Sequence, residues 1–162
     1  MENKSPLKER FFAFLLIIGL AFAFLVLLRK GNETTATETA TVSIRDAVVA
    51  VEIADTSEER ALGLGGRNHM KENEGMFFIF EKPGYYPFWM KNMEFPLDII
   101  WIGDDFTITH IEHGVSPDTF PNQYVSEKPA QYVLEVHKGF SEDYAFSVGD
   151  AVIFNRNGVI SE

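Results

Sequence analysis

Residues 97–112 read LDIIWIGDDFTITHIE. Leu97 to Ile102 is a six-residue apolar run interrupted only by Asp98, the length and composition of a β-strand. Gly103-Asp104-Asp105 is a tight, polar connection, and Phe106 to Glu112 resumes an apolar alternation. The stretch therefore predicts a β-hairpin. Alternation along the first strand puts Pro96, Asp98, Ile100 and Ile102 on one face and Leu97, Ile99 and Trp101 on the other.

The same period continues on both sides of the hairpin. AVVAVEIA, residues 47–54, alternates as a strand. Thr56 and Glu59 form a capping-box pair that opens a short helix over Ser57 to Leu64, with Gly65-Gly66 as its stop. Met76 to Phe80 and Tyr86 to Lys91 are further strands, separated by the Pro83-Gly84 turn, with Asn92 to Pro96 as a loop. Gly114 to Pro129 carries three prolines and is a long loop, of a length that often serves function. Gln131 to His137 is a strand, Ser141 to Ala145 a helical turn, and Ala151 to Asn155 the last strand. These elements predict a mainly β, α+β domain over residues 42–160: a compact, antiparallel, barrel-like sheet with one or two short helices.

The first forty residues are of another kind. A basic tail (1–10) precedes Phe11 to Leu28, an uncharged apolar run of 18 residues. As a helix it would extend roughly 27 Å, close to the thickness of a bilayer's hydrocarbon core. The apolar run continues past Ala21-Phe22-Ala23, so an uncleaved single-pass transmembrane anchor is favoured over a cleaved signal peptide. Residues 29–41, rich in Thr and Glu, read as a flexible linker. Basic residues flank the run on both sides, slightly more on the N-terminal one, and this places the N-terminus inside and the domain on the extracytoplasmic side.

Charge and cysteine usage exclude several functions. Residues 1–30 hold five Lys/Arg and two Glu, or +3, so the −10 of the whole chain leaves −10 − 3 = −13 on the remainder. Such a domain is not built to bind nucleic acid or to lie flat on anionic lipid. With no cysteine there is no disulfide, thiolate zinc site or thiol nucleophile. Neither a phosphate-cradling glycine loop nor a G-x-S-x-G elbow occurs, and no cofactor is expected.

Several ordered segments together resemble one known family. VEIADTSEERALGLGGR, EGMFFIF, FWMKNMEFPLDIIWI, YVLEVHKGF and VGDAVIF, spanning about residues 42–155, are similar to the family called domain of unknown function 192, also uncharacterised protein family 0127. The resemblance implies a small, mainly β domain, often carried behind a signal or anchor sequence, and it implies no activity. Two departures stand out. The family's helix exit reads GLM-x-R, whereas Gly65 takes the methionine's place here, and the loop after the central hairpin lacks the cysteine that many members carry.

Four groups of residues are candidates for function. Lys91 and Asp98, with Glu135, would form a polar pocket if their strands lie side by side, with one carboxylate held near the lysine and the other raised in pKa by burial. The alternative is an ion pair that fixes strand register. Arg60 and Arg67 flank the glycine stop and offer forked donors to an anion, or else cap the helix and pair with nearby acids. Tyr85, Tyr86, Phe88, Trp89 and Trp101 are either a stacking surface or core. Trp89 and Asn92 join the binding candidates by their place in FWMKN. His110-Ile-Glu-His113 is a poor metal site, because residues three apart on a strand face opposite ways. The expectation is thus a membrane-anchored binding or accessory module of the cell envelope with an unidentified small-molecule or protein partner. The alternative is a small enzyme, perhaps a hydrolase, using Asp98 or Glu135 with Lys91.

Overall fold

A computed structural model describes residues 40–156 and the backbone of residues 159–161. The basic tail, the apolar run and most of the linker lie outside the described residues. Among the described residues no helix is long and apolar enough to cross a membrane.

The strands are β1 (Ala40–Ile44), β2 (Ala47–Ala54), β3 (Glu74–Gly84), β4 (Leu97–Ile102), β5 (Ile108–Val115), β6 (Ala130–His137), β7 (Val152–Arg156) and β8 (Val159–Ser161). Two short helices, α1 (Ser57–Leu62) and α2 (Phe140–Asp143), and a 3-10 turn at Pro117–Thr119 complete the elements of the described residues. One eight-stranded sheet runs β5-β4-β6-β3-β2-β1-β7-β8. All pairings are antiparallel except β2 with β3, which are parallel and need a crossover. Helix α1 lies within that crossover. Thr56 caps it by accepting from the Glu59 backbone N–H, and the Glu59 carboxylate accepts from the Thr56 N–H in return.

The predicted hairpin is present as β4 and β5. The expected barrel is not: the sheet stays open. Its β5 edge meets the far end only at a single bridge, Thr107 to Ala151. The reason lies in β7, whose outer edge over Phe154–Arg156 is taken by β8. Only the approach to β7 is left to reach β5, through the Val152 N–H donating to the Phe106 carbonyl and the Ile108 N–H donating to that of Asp150.

Other boundaries moved for local reasons. Helix α1 ends at Gly63, which adopts φ +53°, rather than at the Gly65-Gly66 pair. Tyr86 to Lys91 is not a strand. Its one pairing is an isolated bridge in which Phe88 and Tyr124 exchange N–H···O bonds of 2.9 Å. Strand β1 begins at Ala40 and so takes in two residues assigned to the linker.

The sheet buries both faces. One carries Val42, Val49, Phe77, Ile100, Leu134, Val136 and Phe154, packed as a continuous core. The other carries Met76, Phe78, Leu97, Ile99, Trp101 and Val133, covered by the α1 exit and the segment around Phe88, Met90 and Phe95. Strand β6 lies inside the sheet, between β4 and β3, and its middle residues Val133 to Val136 are buried. Gly75 lets β3 approach β6 closely. A Cβ there would lie 2.5 Å from the Glu135 carbonyl oxygen. Gly75→Ala should therefore force the two strands apart and lower stability by about 2–3 kcal/mol, read as a lower urea midpoint at unchanged slope.

Candidate functional site

Pairing of β4 with β6 decides where the two carboxyls go. Asp98 stands opposite Val136, and Ile99 opposite Glu135. Paired residues share a face, so Asp98 and Glu135 point to opposite sides of the sheet.

Asp98 is fully buried and bonded on both oxygens. The Gly114 N–H donates to Oδ1 at 2.8 Å. The N–H groups of Gly139 and Ser141, each at 3.0 Å, and the Ser141 hydroxyl at 2.7 Å donate to Oδ2. Gly114 and Gly139 both hold positive φ, +60° and +89°, which aims their N–H groups inward at little steric cost. One side chain thus ties the end of β5, the β6–α2 turn and the start of α2. Ser141 Oγ lies a further 2.9 Å from His113 Nδ1. Since the hydroxyl gives its proton to Asp98, His113 is the donor in that contact.

Glu135 has the opposite environment. It is 5% exposed, with Met76 and Ile99 as its cross-strand neighbours. Its carboxyl makes no hydrogen bond among the described residues, and its oxygens are not sealed, since the residue borders a pocket. Burial without compensation pushes its pKa up to about 8, so it stays protonated at neutral pH.

The pocket encloses about 360 Å³, within the range of small-molecule sites. The α1 residues Arg60 to Leu62 and the exit Gly63 to Gly65 form one wall. Phe78 and Phe80 of β3, with Glu135, form the base, and Tyr86 to Trp89 with Lys91 to Met93 form the opposite wall. The two walls are joined: the Gly66 N–H donates to the Asn92 carbonyl at 2.8 Å. A Cβ on Gly65 would stand 3.2 Å from the Lys91 carbonyl, so the absence of a side chain there lets the walls meet. Asn92 takes φ +58°, a conformation asparagine tolerates well. The aromatic lining is ordered by its own contacts. Phe80 and Tyr86 stack at 3.6 Å, Phe88 sits edge-on to Phe78 at 4.8 Å, and Trp101 Nε1–H donates to the Tyr86 carbonyl at 3.2 Å.

Both cations of the pocket lie over its aromatic rings. The Arg60 guanidinium is 5.1 Å from the Phe80 centroid and donates through Nη1 to the carbonyls of Asp55 and Ile79. The Lys91 ammonium is 5.7 Å from the Trp89 centroid. Arg67 is elsewhere, in a forked pair with Glu52 that holds the Glu52 carboxyl below its usual range and raises the Arg67 pKa.

Of the residues singled out from sequence, the structure gathers Arg60, Trp89, Lys91, Asn92 and Glu135 around one pocket. It leaves out Asp98 and Arg67. Lys91 and Asp98 form no ion pair, because Asp98 faces the other core and is bonded to backbone there. His110 and Glu112 meet at 3.1 Å, whereas His113 turns to Ser141, so the HIEH stretch is divided between faces. Sequence reasoning missed Leu62, Phe80 and Met93. Phe80 alone had a signal, since it continues the Met76, Phe78 face of its strand.

The family described as Uncharacterized ACR, domain of unknown function 192, matches residues 39–154. The chain belongs to this family. Two solved structures share the fold. One is a protein of unknown function from Novosphingobium aromaticivorans DSM 12444, 33% identical, with a TM-score of 0.65, covering 70% of this chain and 82% of that one. The other, from Sinorhizobium meliloti 1021, is described as a candidate transcription regulator. It is 30% identical, with a TM-score of 0.66, covering 75% of this chain and 95% of that one. No curated protein matches.

The two carboxyls make contrasting predictions. Asp98→Asn places amide hydrogens against N–H and O–H donors in a sealed site. It should cost about 3 kcal/mol in urea unfolding. Glu135 binds its proton more tightly folded than unfolded, so its contribution is favourable below pH 4.5 and declines as pH rises towards about 8. The decline should total about 3–5 kcal/mol. Glu135→Met should remove that part of the pH profile and be the more stable protein at pH 8.

Proposed function

We propose that this domain is a ligand-binding module held at a membrane by the Phe11 to Leu28 segment, on the extracytoplasmic side, and that the aromatic pocket over Glu135 is its binding site. The observation that carries this reading is the Glu135 carboxyl itself. It is buried, unbonded and adjacent to the pocket. A carboxyl largely withdrawn from water, with only its pocket side open, loses hydration, and that loss is offset when a ligand supplies a hydrogen-bond partner. The surroundings support it. Leu62 and Trp89 line the pocket and stay 71% and 45% exposed, and Phe120, against Trp89, is 46% exposed. Apolar side chains gathered at a concave mouth are a feature of binding surfaces.

The location rests on sequence: an uncharged 18-residue run with basic flanks, followed by a Thr/Glu-rich linker. The regulator description belongs to the Sinorhizobium protein and is not carried over, because a chain of charge −10 disfavours contact with nucleic-acid phosphates.

An enzyme remains the second reading. Asp98 no longer belongs to it, being sealed and bonded on both oxygens. Glu135 does, since a carboxyl protonated at neutral pH is suited to general acid catalysis.

The test uses the full chain in lipid nanodiscs, with a fragment library read by ligand-observed NMR. Binders should compete for one site, be lost in Trp89→Ala and Glu135→Leu, and be recovered chemically unchanged. Conversion of a ligand would favour the enzyme, and binding indifferent to both substitutions would remove the pocket from consideration. The location has its own arm: protease added to spheroplasts should digest residues 40–162, and their survival would place the domain inside.

A further inference from the structure

The pocket's charge pattern says what kind of molecule it takes, given the binding reading above. Aromatic walls with a carboxyl at the base would ordinarily suit an amine, whose cation sits over ring faces. Here the protein's own cations occupy such positions, Arg60 over Phe80 and Lys91 over Trp89. No carboxylate pairs with either one among the described residues. Arg60 donates to two backbone carbonyls, and Lys91 makes no ion pair. Elsewhere Arg45, Arg67 and Lys71 each have a carboxylate partner. Two cations with no carboxylate partner border one cavity whose lining acid, Glu135, is kept largely neutral by burial, so the cavity is locally positive in a chain of net charge −10.

We infer that the pocket binds a small organic anion with a flat apolar body: its charged group lies at the mouth by Lys91 and Arg60, its body lies between the aromatic walls, and a polar group at its far end meets the Glu135 carboxyl. Each part has its place. Lys91 and Trp89 are exposed at the mouth, Phe80, Tyr86 and Phe88 line the interior, and Glu135 is enclosed by the sheet. The Glu135 carboxyl can donate to a carbonyl or accept from a hydroxyl. Lys91 can move off Trp89 to meet an anion, because four rotatable bonds and no ion pair restrain it.

The experiment compares three probes with one body: 4-hydroxyphenylacetate, 4-hydroxyphenylacetamide and tyramine, titrated by NMR into the full chain in zwitterionic-lipid nanodiscs at low salt. The anion should bind about tenfold more tightly than the amide, and tyramine more weakly than either. In Lys91→Met the preference for anion over amide should shrink, and in Lys91→Arg it should persist. It should also fall as salt is raised. An amide or amine that binds as well as the anion overturns the inference while leaving the pocket a binding site. Failure of all three to bind also overturns the inference, and the fragment library then decides separately whether the pocket is a binding site.

Discussion

The register between β4 and β6 governs both halves of this structure. Asp98 opposite Val136 and Ile99 opposite Glu135 send two acids, from adjacent strands, to opposite faces. On one face the acid finds three backbone N–H groups and a hydroxyl. On the other the acid finds apolar neighbours and a pocket. A slip of β4 by one residue would put Asp98 on the same face as Glu135, away from its donors and among hydrocarbon. The Asp98 bonds and the apolar patterning oppose that slip together. The chain therefore isolates one carboxyl to fasten its loops and leaves the other available.

Much of the fold was legible because alternation is a local property. β2, β4 and β6, the capping box at Thr56 and the hairpin at Gly103 follow from residues within a few positions of one another. What was missed depends on distant partners. Tyr86 to Lys91 has the composition of a strand, but it meets only Tyr124, and its residues instead cover the sheet. Ala40 and Thr41 look like the tail of a polar linker, and they belong to strand β1 because β2 and β7 flank them. Sheet closure could not be judged from strand count, since it turns on whether β7 has an edge free.

The site was legible in its members and not in its pairing. Lys91 and Glu135 were named together and do share a pocket, yet Asp98 was placed with them because any acid between apolar residues invites a nearby lysine. Its real partners are backbone N–H groups, whose positions no side-chain pattern reports. The glycines at 114 and 139 were the available clue: each sits where a positive φ turns an N–H inward. Arg67 was separated from Arg60 by the Gly65-Gly66 turn, which directs one to Glu52 and the other towards Phe80.

The placing of β1 beside β7 has a kinetic side as well. Ala40–Ile44 leaves the ribosome early, and its partner Val152–Arg156 follows about 110 residues later. The sheet's middle joins nearer pieces, Gly75 of β3 with Val136 of β6 and Leu97 of β4 with His137 of β6, yet these too are non-local pairings. A topology this non-local folds slowly and late, since the entropy of closing long loops comes before the contacts that reward it. Local hairpins such as β1 with β2 and β4 with β5 can form early, but the sheet is completed only when β7 reaches β1, after nearly all of the domain has been made.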